Sequence, residues 1–81
     1  ILEDNNIRAQ LDECLQLLNE KQRSILARRF GLLGYEPSTL EEVGSEVGLT
    51  RERVRQIQVE ALKALRSIME EKGIELETIF Y

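Results

Sequence analysis

The stretch Thr39-Leu-Glu-Glu-Val-Gly-Ser-Glu-Val-Gly-Leu-Thr-Arg-Glu-Arg-Val-Arg-Gln-Ile-Gln58 decides the fold, because it predicts a short helix, a tight turn and a second helix. Thr39 followed by Glu42 is a capping-box signature, which marks the beginning of a helix. Gly48 stands where a sharp turn needs a positive φ. Thr50 is a favourable N-cap for the second, longer helix.

Two further helices are predicted before this stretch. The first spans residues 4–18, where apolar residues recur at spacings of three and four: Ile7, Leu11, Cys14, Leu15 and Leu18. Asn19, with Gln22 three positions later, is expected to cap another helix that runs to about Phe30. The basic side chains of this helix are expected to face solvent, namely Lys21, Arg28 and Arg29.

Glycines mark the ends of the predicted helices. Gly31 and Gly34 supply positive-φ positions after the second helix. The last helix is expected to continue to about Lys72, where Gly73 ends it, and residues 74–81 form a short turn or lack regular structure. The sequence therefore predicts a single all-α domain, residues 1–81, with four to five helices.

Composition limits the chemistry of this small domain. The 81 residues include no histidine and one cysteine, so neither an internal disulfide nor a thiolate zinc site is expected. Cys14 lies in the apolar pattern of the first helix and is expected in the core. We expect no enzyme, no cofactor and no metal, and a reducing, cytoplasmic compartment. The start at Ile1 indicates a fragment, and no membrane span or secretory signal is expected.

Charge is arranged in blocks along the chain. The net charge is −4, yet residues 19–35 and residues 50–66 each carry a net charge of +3. The three remaining segments are acidic, among them residues 36–49, whose only charged residues are glutamates. The two basic blocks are therefore candidate nucleic-acid surfaces.

The long last helix separates two faces when it is drawn at about 100° per residue. One narrow arc is the expected core face and collects Val54, Ile57, Ala61, Leu65 and Ile68. A roughly opposite arc, called the outer face here, collects Arg51, Glu52, Arg55, Gln56 and Val59. Arginine and glutamine suit base edges and phosphates in a DNA major groove. A face of this kind is also typical of ordinary solvated surface, but the preceding turn and the other basic block favour DNA binding.

The structural positions of this region resemble the helix-turn-helix motif, extending over about residues 39–70. Gly44 is the small residue needed where the two helices touch, and Gly48 is the turn glycine. The apolar positions of the motif are filled by Val43, Val47, Leu49, Val54 and Ile57. This motif is shared by many transcription proteins.

Three segments resemble a more specific family, region four of bacterial sigma-70 family factors. They are Arg28-Arg-Phe-Gly-Leu32, Thr39-Leu-Glu-Glu-Val-Gly44 and Thr50-Arg-Glu-Arg-Val-Arg-Gln-Ile-Gln58, in this order and spacing. Residues 28–36 and 57–62 are most similar to the stationary-phase subfamily, sigma S. The resemblance implies recognition of the minus-thirty-five promoter element within RNA polymerase, in the cytoplasm at the nucleoid.

The resemblance also implies roles for individual residues. Positions matching the family's base contacts are Arg51, Glu52, Arg55 and Gln56. Positions matching its phosphate contacts are Lys21, Arg29, Leu40 (through its backbone N–H) and Thr50. Lys21 stands where housekeeping members have arginine, which keeps the charge but loses bidentate geometry. Glu60 stands where housekeeping members often have a basic residue, and this reversal should weaken nonspecific affinity for the DNA backbone.

The resemblance implies protein partners as well. The flap of the polymerase β subunit is expected to contact apolar residues of the first three helices that the core does not use, with Ile25, Leu32, Leu33 and Tyr35 as candidates. Ordinary core packing is an equally good interpretation of these four residues. Anti-sigma factors and transcription activators are further candidate partners. The alternative function is a helical module that binds only protein, either the polymerase flap or an anti-sigma factor.

Overall fold

The computed structural model describes residues 2–73, with side chains from Arg8 onward. Over this range the chain forms α1 (Leu2–Leu15), α2 (Glu20–Phe30), α3 (Leu40–Val47) and α4 (Arg51–Glu71). No strand occurs among these residues, and the all-α prediction is confirmed. The predictions made for residues 74–81 and for the Ile7 side chain lie outside the described residues.

Helix α1 ends at Leu15, not at residue 18 as predicted. The next N–H groups make tighter bonds, from Leu17 to the Cys14 carbonyl at 3.0 Å and from Leu18 to the Leu15 carbonyl at 3.1 Å. The reason is Asn19, which adopts an extended backbone (φ −69°, ψ 166°) so that its side chain can accept a bond from the Gln22 N–H. A helix cannot continue through a residue in that conformation.

The loop between α2 and α3 turns at the two predicted glycines. Gly31 has φ 68° and caps the C-terminus of α2, and Gly34 has φ 88°. Leu33 also has a positive φ, 53°, which the sequence did not predict for a leucine. The end of the loop is fixed to α2, because the Ser38 N–H donates to the Arg28 carbonyl at 3.0 Å.

The core consists of two apolar clusters that share α4. The larger cluster joins α1, α2 and the C-terminal part of α4: Leu11, Cys14, Leu15, Leu18, Leu26, Ala61, Leu65 and Met69. The smaller cluster joins α2, α3 and the N-terminal part of α4: Ile25, Val43, Val54 and Ile57. The two clusters hold α3 and the beginning of α4 on one side of the molecule and α1 on the other.

The predicted core assignments are confirmed with one exception. Cys14 is fully buried, as expected for a core residue. Ile68, predicted to lie in the core, is half-buried and packs against the larger cluster, whereas Met69, which was not predicted, is fully buried. Met69 belongs to the cluster that contains α1 residues. The projection of the last helix at about 100° per residue assumed a single packing direction. In the structure, α4 packs against α3 near its beginning and against α1 near its end. Within residues 2–73, no helix has the length and apolar character required to cross a membrane.

Candidate DNA-binding surface

The turn between α3 and α4 is closed by bonds to one carbonyl. Gly48 has φ 75°, and its N–H donates to the Gly44 carbonyl. The Leu49 N–H donates to the same oxygen at 2.9 Å, and the Leu49 side chain packs against the smaller core cluster. A Cβ at Gly44 would lie 2.5 Å from the Leu49 carbonyl oxygen, so the close approach requires glycine there. The predicted roles of both glycines are confirmed.

Side-chain caps fix where α3 and α4 begin. The Thr39 hydroxyl accepts from the Glu42 N–H at 3.1 Å, and the Glu42 carboxylate accepts from the Thr39 N–H at 2.8 Å, which completes the predicted capping box. The Thr50 hydroxyl accepts from the Arg53 N–H at 3.1 Å. Because a hydroxyl is also a donor, the Thr50 proton remains available for an outside acceptor.

The outer face of α4 is exposed along its whole length, as the projection of this helix at about 100° per residue predicted. Arg51, Glu52, Arg55, Gln56 and Val59 are all exposed. They follow directly on the turn, so the fold presents them at the edge of the molecule formed by α3 and the beginning of α4.

Two pairs of polar side chains on α4 interact with each other. Arg55 donates to both carboxylate oxygens of Glu52, at 3.0 Å from Nε and 2.6 Å from Nη2. This bidentate bond lowers the pKa of the Glu52 carboxyl, and the charges of Arg55 and Arg51 act in the same direction. The same bond raises the pKa of Arg55. Arg53, on the flank, donates to the Gln56 side-chain oxygen at 3.4 Å. The outer face is thus partly ordered before any ligand binds.

A cleft of about 640 Å³ opens at the N-terminus of α3 and is called the α3 cleft here. Its lining residues are Arg29, Pro37, Ser38, Thr39, Leu40, Glu41, Glu42 and Arg51. Leu40 is the first residue of α3, where the backbone N–H has no acceptor inside the helix. The structure therefore brings two predicted phosphate contacts, Arg29 and Leu40, together with the predicted base contact Arg51.

Arg29 is not free to face solvent, which corrects the prediction for the basic side chains of α2. Its Nη1 donates to the Ser38 carbonyl at 2.9 Å, which holds the guanidinium at the α3 cleft. Its Nε is buried and has no hydrogen-bond partner. A buried donor without a partner costs free energy.

Lys21 is exposed, as predicted, but lies at a different cleft. This second cleft, of about 380 Å³, is lined by Glu20, Lys21, Ser24, Ile25, Val47 and Leu49. Leu49 immediately precedes Thr50, so the fold places Lys21 beside the beginning of α4. The four predicted phosphate contacts thus fall into two groups, Arg29 with Leu40 and Lys21 near Thr50.

The four residues proposed for partner binding differ sharply in exposure. Ile25 is 1% exposed and belongs to the smaller core cluster, so its selection as a partner contact was wrong. Leu32 packs against the larger cluster. Leu33 and Tyr35 remain 39% and 44% exposed, so of these four candidates they offer the exposed apolar surface for a partner.

Arg28 has a positioning role that sequence reasoning missed. Its Nε donates to the Ser24 hydroxyl at 3.2 Å, its Nη1 lies 3.3 Å from a Glu46 carboxylate oxygen, and its guanidinium lies over the Tyr35 ring at 4.8 Å. Arg28 therefore ties α2 to α3 and to the loop between them. The prediction that it faces out was wrong, because the partners on α3 and the loop are distant in sequence.

Helices α3 and α4 are capped and are joined by a turn at a glycine, and α4 carries an exposed face with arginine and glutamine. This arrangement defines the helix-turn-helix class. Comparison with known families narrows this class. Residues 14–67 match the family described as sigma-70, region 4, and the chain belongs to that family.

Individual relatives agree with this assignment. The RNA polymerase sigma factor RpoS of Coxiella burnetii is 43% identical over 79 residues, which cover 98% of this chain and 22% of that protein. The RNA polymerase sigma factors RpoD of two Helicobacter pylori strains, ATCC 700392 / 26695 and J99, are each 49% identical over 63 residues, which cover 76% of this chain and 9% of theirs. The chain thus spans less than a quarter of the length of these relatives.

Proposed function

We propose that this chain recognises the minus-thirty-five promoter element as a domain of an RNA polymerase sigma factor and thereby directs transcription initiation. The outer face of α4 carries the proposal, because Arg51, Glu52, Arg55 and Gln56 are all exposed on it. Arginine pairs with guanine O6 and N7, glutamate accepts from cytosine N4, and glutamine pairs with adenine. These four side chains together are able to distinguish base pairs.

Phosphate contacts on either side of the outer face would hold α4 in the groove. At the α3 cleft, the Arg29 guanidinium charge and the Leu40 N–H at the helix N-terminus suit one phosphate. The exposed Lys21 ammonium and the Thr50 hydroxyl proton suit another. Contacts of this kind fix register and orientation, whereas base contacts supply the sequence preference.

A comparison of two arginine variants tests the promoter-recognition proposal. Affinity is measured by mobility shift for a duplex with the minus-thirty-five element and for a scrambled duplex. Arg51→Ala should reduce the discrimination between them by about 1–3 kcal/mol, because a bidentate base contact is lost. Arg66→Ala, which removes the same charge further along α4, should weaken both duplexes equally. If neither wild type nor Arg51→Ala distinguishes the two duplexes, the proposal is contradicted and a module that binds only protein is favoured.

We also propose that RNA polymerase supplies much of the affinity by holding the domain near its site. The net charge of −4 opposes binding of the free chain to DNA. A second attachment, to the β flap, would convert DNA binding into an intramolecular step with a high effective concentration. The free chain should therefore bind the promoter duplex weakly at physiological salt. Binding should become stronger when the β flap is added in a form that is joined to the complex on the duplex. Tight, sequence-specific binding by the free chain would contradict this.

Leu33 and Tyr35 are the proposed contacts for the β flap. They are exposed apolar residues on the loop between α2 and α3, and the Arg28 guanidinium lies over the Tyr35 ring. Leu33→Ala and Tyr35→Ala should weaken capture of the chain by immobilised β flap. Leu17→Ala removes an apolar side chain that is 63% exposed elsewhere, and it should leave capture unchanged. Equal effects of all three substitutions would contradict the assignment. Anti-sigma factors and transcription activators are further proposed partners.

We further propose that the sigma factor is of the sigma S type and acts in the cytoplasm during stress. The match to an RpoS protein over 98% of this chain supports this subfamily, although RpoD proteins match 76% of it. A stationary-phase sigma factor is expected to accumulate when growth stops. Immunoblots across a growth curve should show that rise, and a constant level would contradict the subfamily.

A further inference from the structure

Val59 is an apolar residue in the middle of a polar face. It is 38% exposed, and it is the one apolar side chain of α4 that packs in neither core cluster. Its neighbours three and four positions away are the polar Arg55, Gln56 and Lys63, and also Leu62, which is partly buried against the larger core cluster. The core does not account for this valine.

The position of Val59 on α4 is central to the outer face. With Arg51 at the origin and about 100° per residue, Arg55 lies at about 40°, Glu52 at about 100° and Gln56 at about 140°. Val59 falls at about 80°, inside this arc. The helical rise places it about 6 Å beyond Arg55 and about 4.5 Å beyond Gln56 along the axis. A helix that presents those residues to the groove floor presents Val59 to the same floor, one or two base pairs further on.

The chemistry of the major groove leaves one partner for such a side chain. Base edges there offer hydrogen-bond donors and acceptors, which valine cannot use, and a single apolar group, the C5-methyl of thymine. We propose that Val59 is a specificity-determining residue that contacts a thymine methyl next to the base pairs read by Arg55 and Gln56. This inference rests on the proposed promoter recognition. Val59 thereby extends the recognised sequence by one thymine.

Substitution of thymine by uracil removes only the methyl group and tests the contact directly. A promoter duplex is made with one thymine replaced at a time across the minus-thirty-five element and its flanks. Binding of the 81-residue chain is followed by fluorescence anisotropy at low ionic strength, where affinity is highest. One replacement should weaken wild-type binding by about fourfold, as expected for loss of one buried methyl group.

Val59→Ala completes a double-mutant cycle with that replacement. The variant should bind the thymine duplex about as weakly as wild type binds the uracil duplex, and it should no longer distinguish the two. Leu17→Ala, an exposed apolar truncation on another part of the molecule, should keep the full thymine preference. Unfolding midpoints measured by circular dichroism verify that both variants are folded.

Two negative results separate this inference from the proposed function. If binding responds to Arg51→Ala but no thymine shows a methyl dependence that Val59→Ala abolishes, the inference is overturned and promoter recognition stands. If the chain shows no sequence-dependent binding at all, with wild type and Arg51→Ala alike, both are overturned. A preference for thymine that persists unchanged in Val59→Ala also overturns the inference, because another residue then makes the contact.

Discussion

The two neighbouring arginines of α2 have different tasks, although they look alike in the sequence. Arg28 uses its guanidinium on Ser24, Glu46 and Tyr35, and therefore contributes to the arrangement of helices. Arg29 donates through Nη1 to the Ser38 carbonyl, lies over the Phe30 ring at 5.4 Å and lines the α3 cleft. This difference makes Arg29, and not Arg28, the one suited to a phosphate.

Glu52 and Arg55 form a pair whose effect on acidity is measurable. Because Arg55 donates to the carboxylate, the pKa of Glu52 lies below its ordinary value. Because this pKa is lowered in the folded state, the stabilisation from the Glu52–Arg55 pair is fully present at pH values above the ordinary carboxyl pKa. It is lost as the pH falls through the lowered pKa, where Glu52 becomes protonated. In Arg55→Gln, an NMR titration of the Glu52 carboxyl carbon should show a higher midpoint than in wild type.

The control for this titration is an arginine elsewhere on α4. Arg66 lies near Glu70, at 3.8 Å, and does not touch Glu52. Arg66→Gln should leave the Glu52 midpoint unchanged. Identical midpoints in wild type and Arg55→Gln would show that the bidentate bond is absent in solution.

At the scale of elements, local chemistry was predictable and long-range chemistry was not. The capping box of Thr39, the cap at Asn19 and the turn at Gly48 follow from residues within four positions of each other, and all three are confirmed. The partners of Arg28 and the burial of Ile25 depend on how α2 packs against α3 and the loop. No spacing in the sequence encodes those contacts, so the predictions of an exposed Arg28 and a partner-binding Ile25 were wrong.

Gly44 on α3 lies so close to the backbone before α4 that an added methyl group is expected to destabilise the fold. In Gly44→Ala, the added Cβ would lie 2.5 Å from the Leu49 carbonyl oxygen, which is backbone and cannot rotate away. We expect a loss of about 1–3 kcal/mol, typical of overpacking. The unfolding midpoint should fall by about 4–8 °C for each kcal/mol in a domain of this size.

Ser45 offers the matched control for this substitution. It follows Gly44 on α3 but is exposed, so Ser45→Ala adds no contact and should leave the midpoint nearly unchanged. Thermal unfolding followed by circular dichroism compares both variants with wild type. A Gly44→Ala protein as stable as the Ser45→Ala protein would mean that α3 and α4 can separate without cost.

At the scale of the whole molecule, the arrangement of charge explains how an acidic chain presents a DNA-binding surface. The basic blocks include α2, which lines both clefts, and α4, whose Arg51 lines the α3 cleft. Block boundaries were readable from the sequence, because charge is counted residue by residue. Their convergence was not, because it depends on the loop that folds α3 between them.

Salt dependence measures how many of these charges meet phosphates. For duplex DNA, the slope of log affinity against log salt changes by about 0.9 for each phosphate neutralised. If Lys21 contacts a phosphate beside Thr50, Lys21→Gln should flatten the slope by about that amount and weaken specific and scrambled duplexes equally. Lys72→Gln removes the same charge beyond the end of α4, where Glu70 and Glu71 precede it, and should leave the slope unchanged. Equal slopes in wild type and Lys21→Gln would show that Lys21 contacts no phosphate. The remaining proposed phosphate contacts, Arg29, Leu40 and Thr50, would then orient α4.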